Sequence, residues 1–363
     1  MVLTPRANRS HRMPSPRLPD HPLTPLVIRF GRMGDMLLQA PLLHLLHRRY
    51  GNPCRLLSAG TWSGALFADH PDVGEIWQLR GRHTPLWLSP ERWKVIKKIG
   101  QHDGPIYVSE DTRRSLRKIN PLLRFSGIAR DRCVFINDFH AGIQEHWVDE
   151  LLRFGRQTPT AFAAADYPWH DDDIQTAPQL FLTAQDRADC AAWIEQRNFG
   201  SAPLVLLQPG NWKAKKWGRK READPKAWPI DRWTALLRAM HQRLPAARLV
   251  LCGSPVEAVF LETLQRSSQL ACVEVAANDL PIRRLLALLE RAHSMVSIDT
   301  GPAHLAAAAG CPLIVMYGSY SPLRWDRRSP FGKPIINLGG PPQCATVADI
   351  SLQSVVAAWQ TLV

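Results

Sequence analysis

Short apolar runs alternate with helical patterns through the first half of the chain. The runs cover residues 26–30, 55–58, 75–79 and 105–109, and polar or glycine-containing stretches separate them. Between the first two runs, leucines recur at spacings of three and four from residue 36 to 50, and Arg48, Arg49 and Gly51 suit the end of a helix. This alternation predicts a parallel sheet covered by helices.

The same alternation restarts in the second half. We predict helices at 230–244, 281–291, 304–309 and 352–362, and strands at 204–208, 248–252, 295–298 and 312–317. Residues 156–177, between the halves, are loop-like. The sequence therefore predicts an α/β fold of two Rossmann-like doubly wound domains facing a central cleft, with domains at 25–165 and 166–350 and a closing helix at 351–363.

The basic composition bears on the N-terminus and on the partners. The 363 residues carry a formal net charge of +13, which attracts nucleic acid, anionic membranes or phosphorylated substrates. Residues 1–24 combine four arginines with several prolines and have no acid before Asp20, so we predict a disordered basic tail. No apolar run is long enough to cross a membrane and no secretory signal is evident, which favours a cytoplasmic protein, with peripheral contact to an anionic inner membrane as a further expectation.

The sequence gives little support for a metal site. Its seven cysteines are scattered without a Cys-x-x-Cys pair, which favours reduced thiols and argues against zinc. Three aspartates at 171–173 are a weak metal candidate because they follow no predicted strand. We expect no metal and no cofactor.

The sharpest chemical motif joins a predicted strand to a helix of small residues. It reads Ser297-Ile298-Asp299-Thr300-Gly301-Pro302-Ala303-His304. Such a turn presents free backbone N–H groups and the positive end of a helix dipole, which suits a diphosphate. His304 can donate to a phosphate oxygen, and Asp299 can orient the loop or accept from a sugar hydroxyl. The alternative is an ordinary turn in which Asp299 is the helix N-cap.

This motif resembles the donor-binding signature of glycosyltransferase family 9, the ADP-heptose:lipopolysaccharide heptosyltransferases. Other segments agree with that family in order and spacing: Gly31-x-x-Gly34-Asp35 between a strand and a helix, Gln208-Pro209-Gly210, Lys226-Ala227-Trp228-Pro229, and Gly253-Ser254-Pro255-Val256-Glu257. The resemblance spans about residues 26–325 and is weak between 51 and 203. It implies a GT-B-type, metal-independent, inverting transferase that moves a heptose from a nucleotide diphosphate sugar, such as ADP-heptose, to a lipopolysaccharide core or related glycan.

The resemblance also implies roles for individual residues. Asp35 follows a glycine turn at a predicted strand end and matches the family's catalytic base, with an N-cap for a helix starting at Met36 as the alternative. Lys226 would neutralise the departing diphosphate, supported by Thr300, Gly301 and His304, and Glu257 matches a nucleotide-contacting glutamate. A basic loop before Lys226 offers rival cations, or is simply solvated: Lys213, Lys215, Lys216, Arg219, Lys220 and Arg221.

We expect the acceptor on the first domain. A basic cluster after the 105–109 strand suits a phosphorylated glycolipid or glycan, or else forms an exposed helix face: Arg113, Arg114, Arg117 and Lys118. His140 and His146 are weaker cleft candidates. The tryptophans, among them Trp62, Trp77, Trp87 and Trp147, are expected in the core rather than under a sugar.

Other classes fit less well. A nucleotide-sugar epimerase would need an acid/base pair around the sugar, and a dinucleotide oxidoreductase would need Gly-x-Gly-x-x-Gly followed about 20 residues later by an acid. Neither pattern is present. A non-catalytic basic protein explains the charge but no motif, so no nucleic-acid partner is expected. A different donor and acceptor within the same family stays open.

Overall fold

The first half of the chain forms a five-stranded parallel sheet. The computed structural model describes residues 21–80, 89–139, 145–211 and 224–362. The strands are β1 (Leu26–Arg29), β2 (Cys54–Ala59), β3 (Val73–Leu79), β4 (Ile106–Val108) and β5 (Cys133–Phe135), in the order β3-β2-β1-β4-β5. Leu26 pairs with Arg55 on one side and Ile106 on the other, so the strand order reverses between β1 and β4.

Six helices accompany this sheet in the described residues: α1 (Met33–Leu37), α2 (Ala40–Tyr50), α3 (Trp62–Leu66), α4 (Pro90–Gly100), α5 (Arg113–Ser126) and α6 (Trp147–Gly155). Helices α2 and α6 pack on one face of the sheet, and α4 and α5 pack on the other. The single helix predicted over 36–50 is wrong, because the chain breaks it at Leu38 and Gln39. Pro41, which has no N–H to donate, lies in the first turn of α2.

The second half forms a six-stranded parallel sheet. Its strands are β6 (Leu204–Gln208), β7 (Arg248–Cys252), β8 (Val273–Ala276), β9 (Ser294–Ile298), β10 (Leu313–Tyr317) and β11 (Ile335–Gly339), in the order β11-β10-β9-β6-β7-β8. This order reverses between β6 and β9. Both sheets thus have the doubly wound topology that the sequence predicts, with a switch point in each.

In the part of the second half that the structure describes, seven helices cover the sheet and its edges: α7 (Ala184–Gln196), α8 (Ile230–Arg243), α9 (Ala258–Ser268), α10 (Ile282–Arg291), α11 (Gly301–Ala308), α12 (Pro322–Trp325) and α13 (Leu352–Gln360). Helix α13 packs with α8 through Val355 and Trp359, whose indole donates to Ser294 Oγ. The domain limits near residue 165 stay a prediction. Helix α6 packs on α2, whereas α7 packs on α10.

The sequence patterns missed three strands. Strands β5 and β8 have only three and four residues, and β11 is half-buried along its length at the sheet edge, so none produces a long apolar run. The ordered chain also begins before residue 25, because the Leu23 N–H donates to the Tyr50 carbonyl. The rest of the predicted tail lies outside the described residues.

One apolar core joins the two sheets. It includes Val27 and Leu56 from the first sheet, Leu206 and Val315 from the second, and the small residues of α11. Two further clusters fill the outer faces, one under α4 and α5 and the other under α8, α9 and α13. The two halves therefore meet through buried apolar side chains as well as through polar contacts.

Candidate functional site

The two predicted chemical turns meet across the interface between the sheets. One turn runs from the end of β1 at Arg29 to the start of α1 at Met33, and the other from the end of β9 at Ile298 to the start of α11 at Gly301. Each follows a strand at the switch point of its sheet. Ligands of open α/β sheets bind at these positions, so the fold brings two such positions to one place.

Two glycines permit this close approach. A Cβ atom at Gly34 would lie 2.9 Å from His304 Cδ2, and one at Gly301 would lie 2.5 Å from Met33 Cε. A side chain at Gly34 would require α1 or the buried His304 ring to move, and one at Gly301 would require the Met33 side chain to move. The glycines therefore hold the Asp35 turn against the Asp299 to His304 turn, which the sequence alone did not reveal.

Asp35 lies in the first turn of α1, at the mouth of this junction. Its Oδ2 accepts from the Arg32 backbone N–H at 2.8 Å, and its side chain keeps 30% of its surface exposed. The helix begins at Met33, so Asp35 is its third residue and the predicted alternative, an N-cap before Met36, is wrong. A partly exposed carboxylate at this position is suited to receive a proton from a bound hydroxyl.

A buried arginine orients Asp35. Arg29 is 4% exposed, and its guanidinium lies 3.7 Å from Asp35 Oδ1. The same guanidinium donates to the Ser109 carbonyl and to Asp111, and it stacks 5.0 Å from the centre of the Trp147 ring. These contacts fix the guanidinium in place beside the Asp35 carboxylate.

Asp299 is the centre of the second turn. Lys226 Nζ donates to its Oδ2 at 2.6 Å and to its carbonyl at 2.9 Å, and Arg327 donates to its Oδ1 at 2.6 Å. Burial alone would raise the pKa of this carboxyl, but the neighbouring Arg327 and Lys226 hold it well below its usual range. The predicted alternative is wrong, because Thr300, not Asp299, is the N-cap of α11.

Sequence reasoning missed Arg327. Its side chain is fully buried and also donates to the Tyr317 hydroxyl and the Trp325 carbonyl. The only signal was a run of arginines at 324, 327 and 328 shortly after the predicted 312–317 strand. Such a run in a loop is usually a solvated surface, so burial could not be inferred from it.

The start of α11 is suited to an anion. Thr300 makes no side-chain cap, because its hydroxyl donates to the Ile298 carbonyl instead. The first-turn N–H groups and the positive end of the dipole therefore stay available to a ligand. His304, one turn further on, is buried. Burial and the charge of Arg327 hold its pKa well below the usual value, so it is a neutral hydrogen-bond donor at neutral pH.

Glu257 lies in the turn that follows β7, two strands away from β9 in the second sheet. Its Oε2 accepts from the Ser254 backbone N–H and hydroxyl at 2.8 and 2.6 Å, and Gln208 donates to its Oε1 at 3.3 Å. Burial raises its pKa. Gly210 lies close by, since a Cβ there would be 2.6 Å from Glu257 Oε1. Glu257 thus lies beside the segment that follows β6, and its contact with a nucleotide stays a prediction.

The predicted acceptor cluster lies in the first turns of α5. Arg113, Arg114 and Arg117 are exposed and Lys118 is half-buried. Their helix follows β4, at the same switch point as Asp35. Cations at a helix N-terminus oppose the dipole and cost some stability, so an anionic ligand there would offset an unfavourable local charge.

Other predicted residues have different positions. His146 caps α6, accepting from the Val148 N–H, and its Nε2 lies 3.0 Å from the Asp326 carbonyl across the interface. Asp171, Asp172 and Asp173 form a 3-10 turn in which Asp173 binds Arg48. His140 and the basic loop from Lys213 to Arg221 lie outside the described residues. Trp77 and Trp147 are buried as expected, whereas Trp62 is 40% exposed.

Within the described ranges, no three His, Cys, Asp or Glu side chains are grouped so that they could hold a metal ion. The seven cysteines are all free. Among the same residues, no helix has the length and apolar character needed to cross a bilayer.

The second half of the chain matches a known protein family. The profile of glycosyltransferase family 9 (heptosyltransferase) matches residues 156–351, which is more than half of the chain. Lipooligosaccharide heptosyltransferase 2 of Haemophilus influenzae is 24% identical over 310 residues, covering 82% of this chain and 84% of that protein.

Two solved structures have a similar fold. Escherichia coli ADP-heptose LPS heptosyltransferase II superposes with a TM-score of 0.67 at 18% identity, covering 94% of this chain and 98% of that chain. Escherichia coli heptosyltransferase WaaC with ADP gives a TM-score of 0.65 at 17% identity, covering 94% and 100%. At these identities the superpositions show a shared two-sheet architecture of the GT-B type.

Proposed function

Because the chain belongs to glycosyltransferase family 9, we propose that it transfers a heptose from ADP-heptose to a lipopolysaccharide core or related glycan. The observation that carries this proposal is the contact of the Asp35 turn with the Asp299 to His304 turn, through Gly34 and His304. One turn offers a base and the other offers a diphosphate site. The WaaC structure contains ADP, which supports the adenine nucleotide.

We assign the proton transfer to Asp35. In the proposed reaction the acceptor hydroxyl loses its proton to Asp35 as its oxygen attacks the anomeric carbon of the donor. The bond from that carbon to the diphosphate oxygen breaks in the same displacement, so the anomeric configuration inverts. Arg29, 3.7 Å from the carboxylate, would hold Asp35 in position for this step.

The departing diphosphate would be met by fixed charges of the second domain. Lys226 uses two of its three hydrogens on Asp299, so the third remains for a phosphate oxygen. The first-turn N–H groups of α11 and the ring of His304 add neutral donors. These groups supply the charge that a divalent cation provides in other transferases, so we propose a metal-independent reaction.

The remaining roles follow from position. Glu257, in the turn that follows β7, would bind the nucleoside, and the exposed Arg113, Arg114 and Arg117 would bind phosphate or carboxylate groups of the acceptor. The first domain would thus hold a phosphorylated glycolipid or glycan and the second the nucleotide sugar. A cytoplasmic enzyme at the inner membrane surface would meet both substrates.

Calorimetry with ADP-heptose, UDP-sugars and GDP-sugars tests the proposal. We expect one donor to bind, Lys226→Ala to weaken its binding tenfold or more, as loss of a charged hydrogen bond does, and Asp35→Ala to leave it nearly unchanged. Lys333→Ala, at an exposed cation of the second domain, is the matched control. Unchanged transfer in EDTA would support metal independence. If no nucleotide sugar or nucleotide diphosphate binds, the proposed function fails.

A further inference from the structure

The outer surface of helices α4 and α5 combines cations with two exposed aromatic rings. Trp93 on α4 is 46% exposed and Phe125 on α5 is 55% exposed. The same two helices carry seven exposed cations: Lys94, Lys97, Lys98, Arg113, Arg114, Arg117 and Arg124. We call this surface the α4–α5 face.

Its charge is concentrated. Helices α4 and α5 have 11 and 14 residues and carry nine lysines and arginines but one carboxylate, that of Glu91. Their net charge of +8 is the larger part of the +13 of the whole chain. Nearby Glu75 offsets part of it by pairing with Lys98 at 2.6 Å. This surface therefore attracts an extended anion more than a single phosphate.

The aromatic pair gives the second observation. The rings of Trp93 and Phe125 lie 6.0 Å apart and are tilted by 55°. The apolar side chains of α4 and α5 that do pack inward, such as Val95, Ile99, Ile119 and Leu122, already fill the core beneath. The two rings are thus not needed to fill that core, and together they form an exposed apolar patch on an otherwise polar surface.

We infer that the α4–α5 face binds the surface of an anionic lipid bilayer. Cations around partly exposed Trp and Phe rings are what an interfacial helix needs, because the rings enter the headgroup region while the cations meet the lipid phosphates. Single-stranded nucleic acid fits less well, because it stacks its bases on free aromatic faces along a groove. Here the rings contact each other on an exposed two-helix surface.

The location connects this surface to the proposed reaction. Helix α5 begins at Arg113, directly after the β4 end that borders the Asp35 turn, and it ends beside Phe125. A bilayer on this face would bring the headgroup of a glycolipid to the acceptor side of the cleft. The inference deepens the proposed glycolipid acceptor and rests on it, but it is tested with lipid alone.

The experiment is flotation of the full chain with two kinds of vesicle, phosphatidylcholine alone and an equimolar mixture with phosphatidylglycerol. We expect flotation only with the anionic vesicles. Each cation near such a surface contributes about fivefold to binding, so the triple variant Lys94→Gln, Lys97→Gln, Arg124→Gln loses about a hundredfold. The matched control replaces three exposed cations of the second domain by Gln: Arg243, Arg266 and Lys333.

The aromatic pair has its own variant and control. Phe125→Ser lowers partitioning, whereas Phe331→Ser does not, although Phe331 of the second domain is 56% exposed. As a second measurement, lipids with brominated acyl chains quench part of the tryptophan fluorescence, and that part is absent in Trp93→Phe. Donor calorimetry on every variant reports folding and keeps the proposed function separate from this inference.

Three outcomes overturn the inference. If the α4–α5 face variants float as well as the unaltered chain, the membrane-binding residues lie elsewhere, for example among the arginines of residues 1–20. If the triple variant of the α4–α5 face and the control triple variant lose vesicle binding equally, binding depends on net charge alone. The third outcome is that the unaltered chain does not float but binds a labelled oligonucleotide, and that the α4–α5 face variants lose this binding. The face would then be a nucleic-acid site.

Discussion

Asp299 binds Lys226 through one carboxylate oxygen and the buried Arg327 through the other, each at 2.6 Å. The carboxylate thereby fixes two cations at the start of α11. The Lys226 side chain stays 25% exposed, whereas Arg327 is fully buried and donates to Tyr317 and Trp325. We interpret Arg327 as a positioning residue that keeps Asp299, and through it Lys226, in place.

Replacing this arginine tests that interpretation. Arg327→Met leaves the Asp299 carboxylate buried with one cation fewer, and loss of one partner of a buried pair costs about 3–5 kcal/mol of unfolding free energy. Donor affinity should fall as well, because Lys226 loses its fixed anchor. Urea denaturation and calorimetry measure the two effects.

Arg328→Met is the control for Arg327→Met. Arg328 pairs with Asp149 near the surface, where the two side chains are 28% and 41% exposed, so its loss should cost about 1 kcal/mol or less. Equal destabilisation by the two variants would contradict the role given to Arg327.

Asp35→Asn tests the proposed base. The amide keeps the size of the side chain but cannot take the acceptor proton, so kcat should fall about a hundredfold to ten-thousandfold while the donor Kd changes little. Steady-state kinetics with a core acceptor and calorimetry with the donor measure this split. Asp111→Asn is the comparison. Asp111 also contacts Arg29, at 3.2 Å, but it follows β4 whereas Asp35 follows β1. Equal losses in both variants would indicate that the Arg29 network matters more than Asp35 itself.

Gly34→Ala tests the junction of the two turns. Its added methyl group would meet His304 Cδ2 at 2.9 Å, so α1 or the buried His304 ring must move slightly, and misplacement of reacting groups by about 1 Å can cost a hundredfold in rate. We expect a large fall in kcat. The matched substitution is Gly64→Ala in α3, where a Cβ meets nothing within 4 Å and helix propensity should add up to about 1 kcal/mol of stability. An active Gly34→Ala enzyme would argue against the tight junction.

The buried histidine at the junction predicts a pH dependence of stability. Burial and Arg327 hold the pKa of His304 well below its usual value. In mildly acidic solution this side chain is therefore protonated in the unfolded chain but neutral in the folded chain. Above about pH 6.5 His304 does not lower the free energy of unfolding. Below that pH the free energy of unfolding falls by about 1.4 kcal/mol per pH unit because of this group. Denaturation of the unaltered chain and of His304→Gln between pH 7 and 5 should show a shallower slope in the variant. The same slope in both would assign the dependence to other groups, such as His146, whose pKa burial also lowers.

Sequence patterns predicted the architecture well because the interior strands of both sheets are apolar and buried. The runs at β1, β6, β7 and β10 are apolar on both faces, as strands between two helical layers must be, and they appear directly in the sequence. The short strand β5 and the edge strand β11 lack this signal. Pairing across a sheet, rather than local composition, decides that these segments are strands.

The site was predictable only in part, for a similar reason. Asp35, Asp299 and His304 lie between the end of a strand and the first turn of the next helix, and Lys226 belongs to the Lys226-Ala227-Trp228-Pro229 motif, so local patterns mark all four. Arg327 acts through residues 28 and 10 positions away, and its burial depends on how the loop after β10 folds back. The close packing at Gly34 likewise depends on a helix that lies more than 260 residues later in the chain. No local sequence pattern predicts such contacts between residues that are far apart in the chain.

The apolar core shared by both sheets has a consequence for a chain that has been cut. Helices α3 and α10 pack together, and Arg283 of α10 donates to the Ala68 carbonyl, so each half buries surface of the other. A protease that cleaves between Gly155 and Ala184 should therefore leave a nicked complex, with the two fragments held together noncovalently. Heating should unfold such a chain, and the intact one, in one cooperative transition rather than two.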